Sequence, residues 1–287
     1  MKRFFLFCSF FILFIGAILL IIFNNKSKKV FFPRENEIKM LSETKIEQEI
    51  ERLSQQLKKN NNIQDMVELG IYYFIKGPQY YDKSINLLHD AWKLGSTDTR
   101  IFYYLGCMYE FLKLYELAAI EYIRFLNNYP EDIEVLLRLA NVYYKNDKIE
   151  EAKNIYAKVI QIDKENIVAL ANLGYIFFNQ SEYLLSQNYF DKVLKIVKKK
   201  NLEVPRNINF YLGKIFYFNK NFETAKIYFE QEKEKYPDNV ENSIYLAKTY
   251  YELKDFKESY LLLKELIEIY PNDKDIKRLK YKLEKML

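Results

Sequence analysis

The side chains that could do covalent or metal chemistry are few. The sequence holds one histidine, His89, and two cysteines, Cys8 and Cys107. A nucleophile needs a base within reach, and a metal site needs several ligands at short spacing. Neither arrangement occurs, because His89 has no cysteine or carboxylate pattern around it and the two cysteines lie 99 residues apart, in dissimilar surroundings. There is no glycine-rich phosphate loop. The 39 Asp and Glu alternate with Lys along stretches of helical period, which is the pattern of solvated surface. The sequence therefore reads as non-enzymatic, with no cofactor and no metal. What recurs at fixed spacing is aromatic: 26 Tyr and 22 Phe make the chain unusually rich in rings. Rings give large contact area at low entropy cost, so their chemistry is that of packing and of binding surfaces.

The elements that would carry these rings are helical hairpins. In 99–132, Phe102, Leu105 and Tyr109 fall on one face of a first helix. Gly106 stands where a large side chain would hold a second helix away. Ala118 is the small residue of that second helix, followed by Tyr122, Phe125 and Leu126, and Pro130 ends it because proline lacks the amide donor. The same phase returns in 133–166 with Leu136, Leu139, Ala140, Tyr143, Ala152, Tyr156 and Val159. It returns in 167–205 (Gly174, Ser186, Phe190), in 206–239 (Gly213, Ala225, Phe229) and in 240–273 (Ala247, Ser259, Leu263). With a two-residue insertion it also fits 63–98, through Gly70, Ser84 and Leu88. Over residues 63–273 the chain resembles the tetratricopeptide repeat (TPR) family, whose period is about 34 residues. That resemblance implies an all-α, right-handed superhelix of helical hairpins that binds protein or peptide partners.

In that family the first helices line a concave groove. Positions one and four after the close-packing residue should face it. The column four on reads Phe74, Glu110, Tyr144, Phe178, Tyr217 and Tyr251; the column one on reads Ile71, Cys107, Asn141, Tyr175, Lys214 and Lys248. The expected partner-binding groove is therefore Phe74, Asn141, Tyr144, Tyr175, Phe178, Lys214, Tyr217, Lys248 and Tyr251. Packing against adjacent repeats is an equal reading of these rings. Lys214 and Lys248 are one repeat apart, so their ammonium groups should be neighbours whose repulsion an acidic group of a partner would relieve. The clamp by which some TPR proteins grip acidic tails is not expected, since Val67, Ile71, Tyr103 and Cys107 occupy its places.

Outside the repeats, Phe4 to Phe23 is apolar and uncharged, long enough to span a bilayer as one helix, and no small-x-small cleavage site follows it. The domain reading is an N-terminal transmembrane anchor with basic flanks (1–30), a polar linker and spacer helix (31–62), six repeats (63–98, 99–132, 133–166, 167–205, 206–239, 240–273) and a capping helix (274–287). In the spacer, Ile46, Ile50, Leu53 and Leu57 share a face, which suits a free spacer, a short coiled coil or a cap on the first repeat. Lys195, Lys198, Lys199 and Lys200 read as a solvated helix end. The net charge of +5 is local: residues 1–34 carry six basic side chains and no acid, so the remainder carries −1. A near-neutral repeat region excludes the basic field of a nucleic-acid binder. Two functions fit: a single-pass membrane scaffold for protein partners, in envelope assembly or protein quality control with the repeats outside the cytoplasm, or a module whose aromatic groove stacks on cell-wall glycan. The number of copies in an assembly is not legible.

Overall fold

The computed structural model describes residues 32–38 and 40–285; the expected anchor over 4–23 lies outside the described residues. Every regular element among the described residues is helical, and no helix there is long and apolar enough to cross a membrane. Two compact units divide the chain, Met1–Ile101 and Phe102–Leu287.

In the first unit, α1 (Glu43–Lys59), α2 (Ile63–Lys76) and α3 (Tyr81–Lys93) pack in sequence. Ile46 and Leu53 of α1 are buried, and α1 lies against α2. That contact is what a cap on the first repeat would make. Helices α2 and α3 touch at Gly70, where an added Cβ would stand 2.8 Å from the Leu88 side chain. The Ser84 hydroxyl donates to the Gly70 carbonyl at 2.7 Å. Arg100 is buried and donates to Asp98 at 2.6 Å and Glu68 at 2.7 Å. Burial opposes its charge, but the two carboxylates outweigh that and raise its pKa.

The second unit contains α4 (Arg100–Phe111) from Phe102 onward, α5 (Tyr115–Leu126), α6 (Ile133–Lys145), α7 (Ile149–Ile162), α8 (Ile167–Asn179), α9 (Tyr183–Lys200), α10 (Ile208–Phe218), α11 (Phe222–Lys235), α12 (Val240–Glu252), α13 (Phe256–Ile269) and α14 (Lys274–Glu284). Each hairpin closes on a glycine or alanine of its first helix. A Cβ added at Gly106, Gly174 or Gly213 would lie 2.5 Å from the ring of Tyr122, Phe190 or Phe229, all of them buried. Where the second helix offers serine instead of alanine, its hydroxyl bonds the opposing carbonyl: Ser186 to Gly174 and Ser259 to Ala247, both at 2.8 Å.

Turns and caps repeat as strictly. Lys113, Asp147, Ser181, Lys220 and Lys254 all have φ between 59° and 66°. The next amide in each case donates back across the turn, as Leu114 does to Tyr109 and Asn221 to Phe216. This is the left-handed helix stop that glycine usually supplies. First helices begin on Asp132, Asn166 and Asn239, and α14 begins on Asp273; each side chain accepts from the amide three residues on. Helix α10 departs from the rule. Asn207 is itself left-handed and caps nothing; Glu232 of α11 accepts from the Asn207 amide at 3.0 Å instead. Burial pushes the Glu232 carboxyl up, against the amides that favour its charge. At the end of the chain Ile276 and Leu283 of α14 bury fully against the last hairpin.

Candidate functional site

The first helices of the second unit stand in a row, with α8 touching α10 and α10 touching α12. Along this row the columns expected to bind divide into two regions of unlike chemistry.

The first region centres on Glu110, at the end of α4. Its Oε2 accepts from the Tyr122 hydroxyl at 2.8 Å and from Arg138 Nη1 at 3.3 Å, and its Oε1 from Asn141 Nδ2 at 3.0 Å. Lys145 Nζ lies 3.9 Å away. One repeat edge further, the Tyr103 hydroxyl donates to Glu134 at 2.7 Å, and Arg138 Nε bonds the same oxygen at 3.2 Å. Burial drives the phenols of Tyr103 and Tyr122 well above their usual pKa. They are therefore neutral donors, fixed in direction. Asn141, expected to meet a partner, is already bonded to Glu110. Cys107 is buried, with the Tyr122 hydroxyl 3.7 Å from its sulfur.

The second region centres on Lys214 of α10. Its ammonium stands 4.9–5.3 Å from the ring centroids of Tyr245, Phe210 and Phe178, and 5.9 Å from Tyr211. Lys248 approaches the same Tyr245 ring at 5.2 Å. The two lysines thus share one ring, and Lys214 already has an acid of its own chain: Glu241 of the next first helix reaches Lys214 Nζ at 3.0 Å. Around them the rings touch one another, tilted or edge-on. Tyr175 packs on Tyr211 at 4.9 Å, Phe178 on Tyr211 at 4.7 Å and Tyr217 on Tyr245 at 5.5 Å.

Of the residues expected in the groove, Phe178 is buried in the core between repeats, and Phe74, in the first unit, is buried and stacked on Tyr81 at 5.5 Å. For these two, packing is the outcome, because a ring in the row reaches a neighbouring ring before it reaches water. Tyr175 is half-buried and donates its hydroxyl to the Arg206 carbonyl at 3.1 Å. Tyr144 is exposed and accepts from Asn179 at 3.1 Å. Tyr217 and Tyr251 are half-buried. Sequence reasoning missed Tyr211, Tyr245 and Phe218. The signal was present two positions before the close-packing residue, where Tyr211 and Tyr245 succeed Arg138 and Asn172. Phe218 ends α10 and is 41% exposed beside Tyr183 and Tyr245.

The basic cluster at the end of α9 behaves as a helix end: Lys199 and Lys200 hold Glu165 at 2.7 and 2.9 Å and lower its pKa to about 2. Among the described residues no group of three His, Cys, Asp or Glu is placed to hold a metal ion. His89 is half-buried on α3.

Models of the tetratricopeptide repeat match residues 133–166 and 219–283. Over these two segments the chain matches the tetratricopeptide repeat. The fold of solved structures agrees. pilF of Pseudomonas aeruginosa aligns with a TM-score of 0.61 at 15% identity, over 77% of this chain and 97% of that one. A tetratricopeptide repeat protein from Parabacteroides merdae gives 0.60 at 15% identity, over 78% and 86%. The C-terminal part of a TPR repeat-containing protein from Cytophaga hutchinsonii gives 0.57 at 16%, over 72% and 79%. A comparison with curated protein sequences gives no match. Proteins with tetratricopeptide repeats are typically interaction scaffolds, and the helical hairpins described above are consistent with that plan.

Proposed function

We propose that the protein is a single-pass membrane scaffold that holds a protein partner along the Lys214 end of its first-helix row. The observation that carries this reading is the half-open aromatic cluster at Tyr217, Phe218 and Tyr245, beside Lys214 and Lys248, with half-buried Tyr251 on the next first helix. Partly exposed rings beside charged groups have the composition of interface hot spots. The Glu110 region has its polar groups bonded internally and offers less. The uncharged run Phe4–Phe23 supports the anchor, with the repeats outside the cytoplasm and a role in envelope assembly or protein quality control. Glycan stacking is less well supported, because it needs an open ring face, and both lysines lie against Tyr245.

The test is capture of crosslinkable partners from native membranes by the full chain and by Tyr217→Ala and Tyr251→Ala. Truncating a hot spot typically costs about 2 kcal/mol or more, so capture should fall at least tenfold while the melting curve stays in place. Unchanged capture by folded variants overturns the site. A salt wash that releases the protein from membranes overturns the anchor.

A further inference from the structure

The outward face of α5 differs from that of every other second helix in its unit. The positions one before, two after and five after the small packing residue make up this face, exposed throughout except at Asp191 and Thr224, which are half-buried. In α7 they are Glu151, Asn154 and Ala157; in α9 Leu185, Asn188 and Asp191; in α11 Thr224, Ile227 and Glu230; in α13 Glu258, Leu261 and Lys264. In α5 alone all three are large and apolar: Leu117, Ile120 and Ile123, exposed by 43%, 45% and 40%. Phe111, Leu112 and Leu114, in the turn before the helix, are exposed as well and extend the patch at its N-terminal end. Single exposed apolar residues are ordinary, but a contiguous stripe on one helix face marks an interaction surface.

The order of residues along the stripe points to what covers it. Reading outward from Ile120, the helix has Leu117 and Ile123 three residues away on either side, then Glu116 and Arg124 four residues away. All five lie within about 60° of the Ile120 direction, at 100° per residue. A two-fold axis through Ile120, perpendicular to the helix, therefore maps Leu117 onto the level of Ile123 and Glu116 onto the level of Arg124 in a second copy. Glu116 and Arg124 are eight residues, or about 12 Å, apart along the axis. In this antiparallel arrangement opposite charges meet at both ends of an apolar centre. In a parallel one Glu116 would face Glu116. A bilayer surface is a poorer match, since Glu116 beside the patch would be repelled by acidic headgroups.

We infer that α5 is the self-complementary face of a two-fold homodimer, with α5 packed antiparallel on α5 of a second copy. Such an isologous contact is the commonest way for a soluble domain to close on itself. The patch is one helix wide, which is small against a standard interface, so the dimer is weak and concentration-dependent.

The experiment is disulfide trapping of the full chain in native membranes, in a Cys8→Ser background. Ile120→Cys lies on the proposed axis and should give a covalent dimer under mild oxidation. Asn154→Cys, at the equivalent outward position of α7, should remain monomeric under the same conditions. Leu117→Cys mixed with Ile123→Cys should crosslink more than either alone. Adding Glu116→Arg to Ile120→Cys should reduce trapping severalfold, because it sets Arg beside Arg124 of the second copy. Since Glu116 is exposed, the melting curve should not move. Equal trapping at Ile120→Cys and Asn154→Cys, or trapping indifferent to Glu116→Arg, overturns the inference. So does protection of Ile120→Cys from thiol reagents without any dimer, which would assign the face to another protein or to lipid.

Discussion

The Glu110 and Lys214 regions occupy the same row of helices, use the same kinds of residue and reach opposite ends. Both place a charged group between two consecutive first helices. Glu110, 14% exposed, accepts from a phenol, a guanidinium and an amide, so its bonding capacity is taken up by its own chain. Lys214 is equally shielded, but its acidic partner Glu241 is 59% exposed and its other neighbours are ring faces. Buried hydrogen-bonded networks fix one geometry and are costly to open. An exposed ion pair over aromatic groups opens at little cost. Two repeats of one architecture can thus be spent on rigidity or kept for recognition, according to what stands opposite the charge.

The largest expected effect comes from breaking the support under the aromatic end. Gly213→Leu puts a branched side chain where a single Cβ would already sit 2.5 Å from the Phe229 ring, which in turn backs Phe210 and Tyr245. Overpacking costs about 1–3 kcal/mol, and the loss here should be at or beyond the upper end because the ring has no exposed side to retreat to. Thermal melting checks it. Gly174→Leu, against Phe190, should behave alike, whereas substitutions at exposed α1 positions such as Gln55 should not. If both glycine variants melt like the parent, the hairpin helices do not meet at these glycines.

Next is the polar end. Glu110→Ala leaves the buried Tyr122 hydroxyl, Arg138 and Asn141 without their shared acceptor. An unsatisfied buried group costs about 1–3 kcal/mol, so a clear drop in melting temperature is expected, with partner capture retained once the protein is folded. Loss of capture without loss of stability would move the binding surface to Glu110 and reverse the comparison.

A third test concerns a buried carboxylate on α5. Glu121 of α5 is buried, and although Arg124 bonds its Oε1 at 2.9 Å, its Oε2 has no hydrogen-bond partner among the described residues. Burial raises its pKa, with Arg124 opposing. A carboxyl whose folded pKa lies above its unfolded value takes up its proton more readily in the folded state. Its charged form therefore weakens the fold, and this penalty shrinks as pH falls below the raised folded pKa and is gone once pH is below the unfolded value as well. Glu121→Gln should melt higher than the parent near neutral pH, and the two curves should converge as the solution is made mildly acidic. A gap independent of pH would mean that folding leaves the pKa of Glu121 unshifted.

How much of this was legible in the sequence follows the range of the contacts involved. The hairpins were, because Gly106, Gly174 and Gly213 and the rings opposite them recur within a single repeat. The division of the groove was not. Glu110 stood out in its column as the one non-aromatic residue, but its partner Arg138 belongs to a column six positions earlier in phase, outside the expected groove. The same column holds Tyr211 and Tyr245, which make the Lys214 region what it is. Glu241, which answers Lys214, lies at the start of the following helix. The Glu232 cap on Asn207 spans 25 residues and replaces a local signal with a distant one. The stripe on α5 escapes for another reason: reading a helix for its core face leaves the opposite face unread.

The smallest expected effect sharpens the comparison most. Lys214→Met removes the ammonium but keeps an unbranched stem of similar length among Phe178, Phe210, Tyr211 and Tyr245. Two losses follow: an ion pair whose acid is mostly in water, worth about 0–1 kcal/mol, and attraction of the ammonium to the rings, worth about 0.5–1 kcal/mol where solvent still reaches. The thioether recovers part of this, since sulfur–ring contacts contribute about 0.3–1.5 kcal/mol. Glu241 is left hydrated, not buried, so no desolvation penalty remains behind. Stability should therefore change by under about 1 kcal/mol, well short of Glu110→Ala, although the two charges are equally shielded. Partner capture should keep its ring-dependent part and lose part of its dependence on salt, because a charge at the rim of an interface acts mainly on rate and screening. Melting curves and capture at low and high salt, run on the two variants together, decide the matter. If Lys214→Met unfolds the second unit as readily as Glu110→Ala, the aromatic end holds the fold together as firmly as the polar end does, and the recognition surface must be sought elsewhere on the protein.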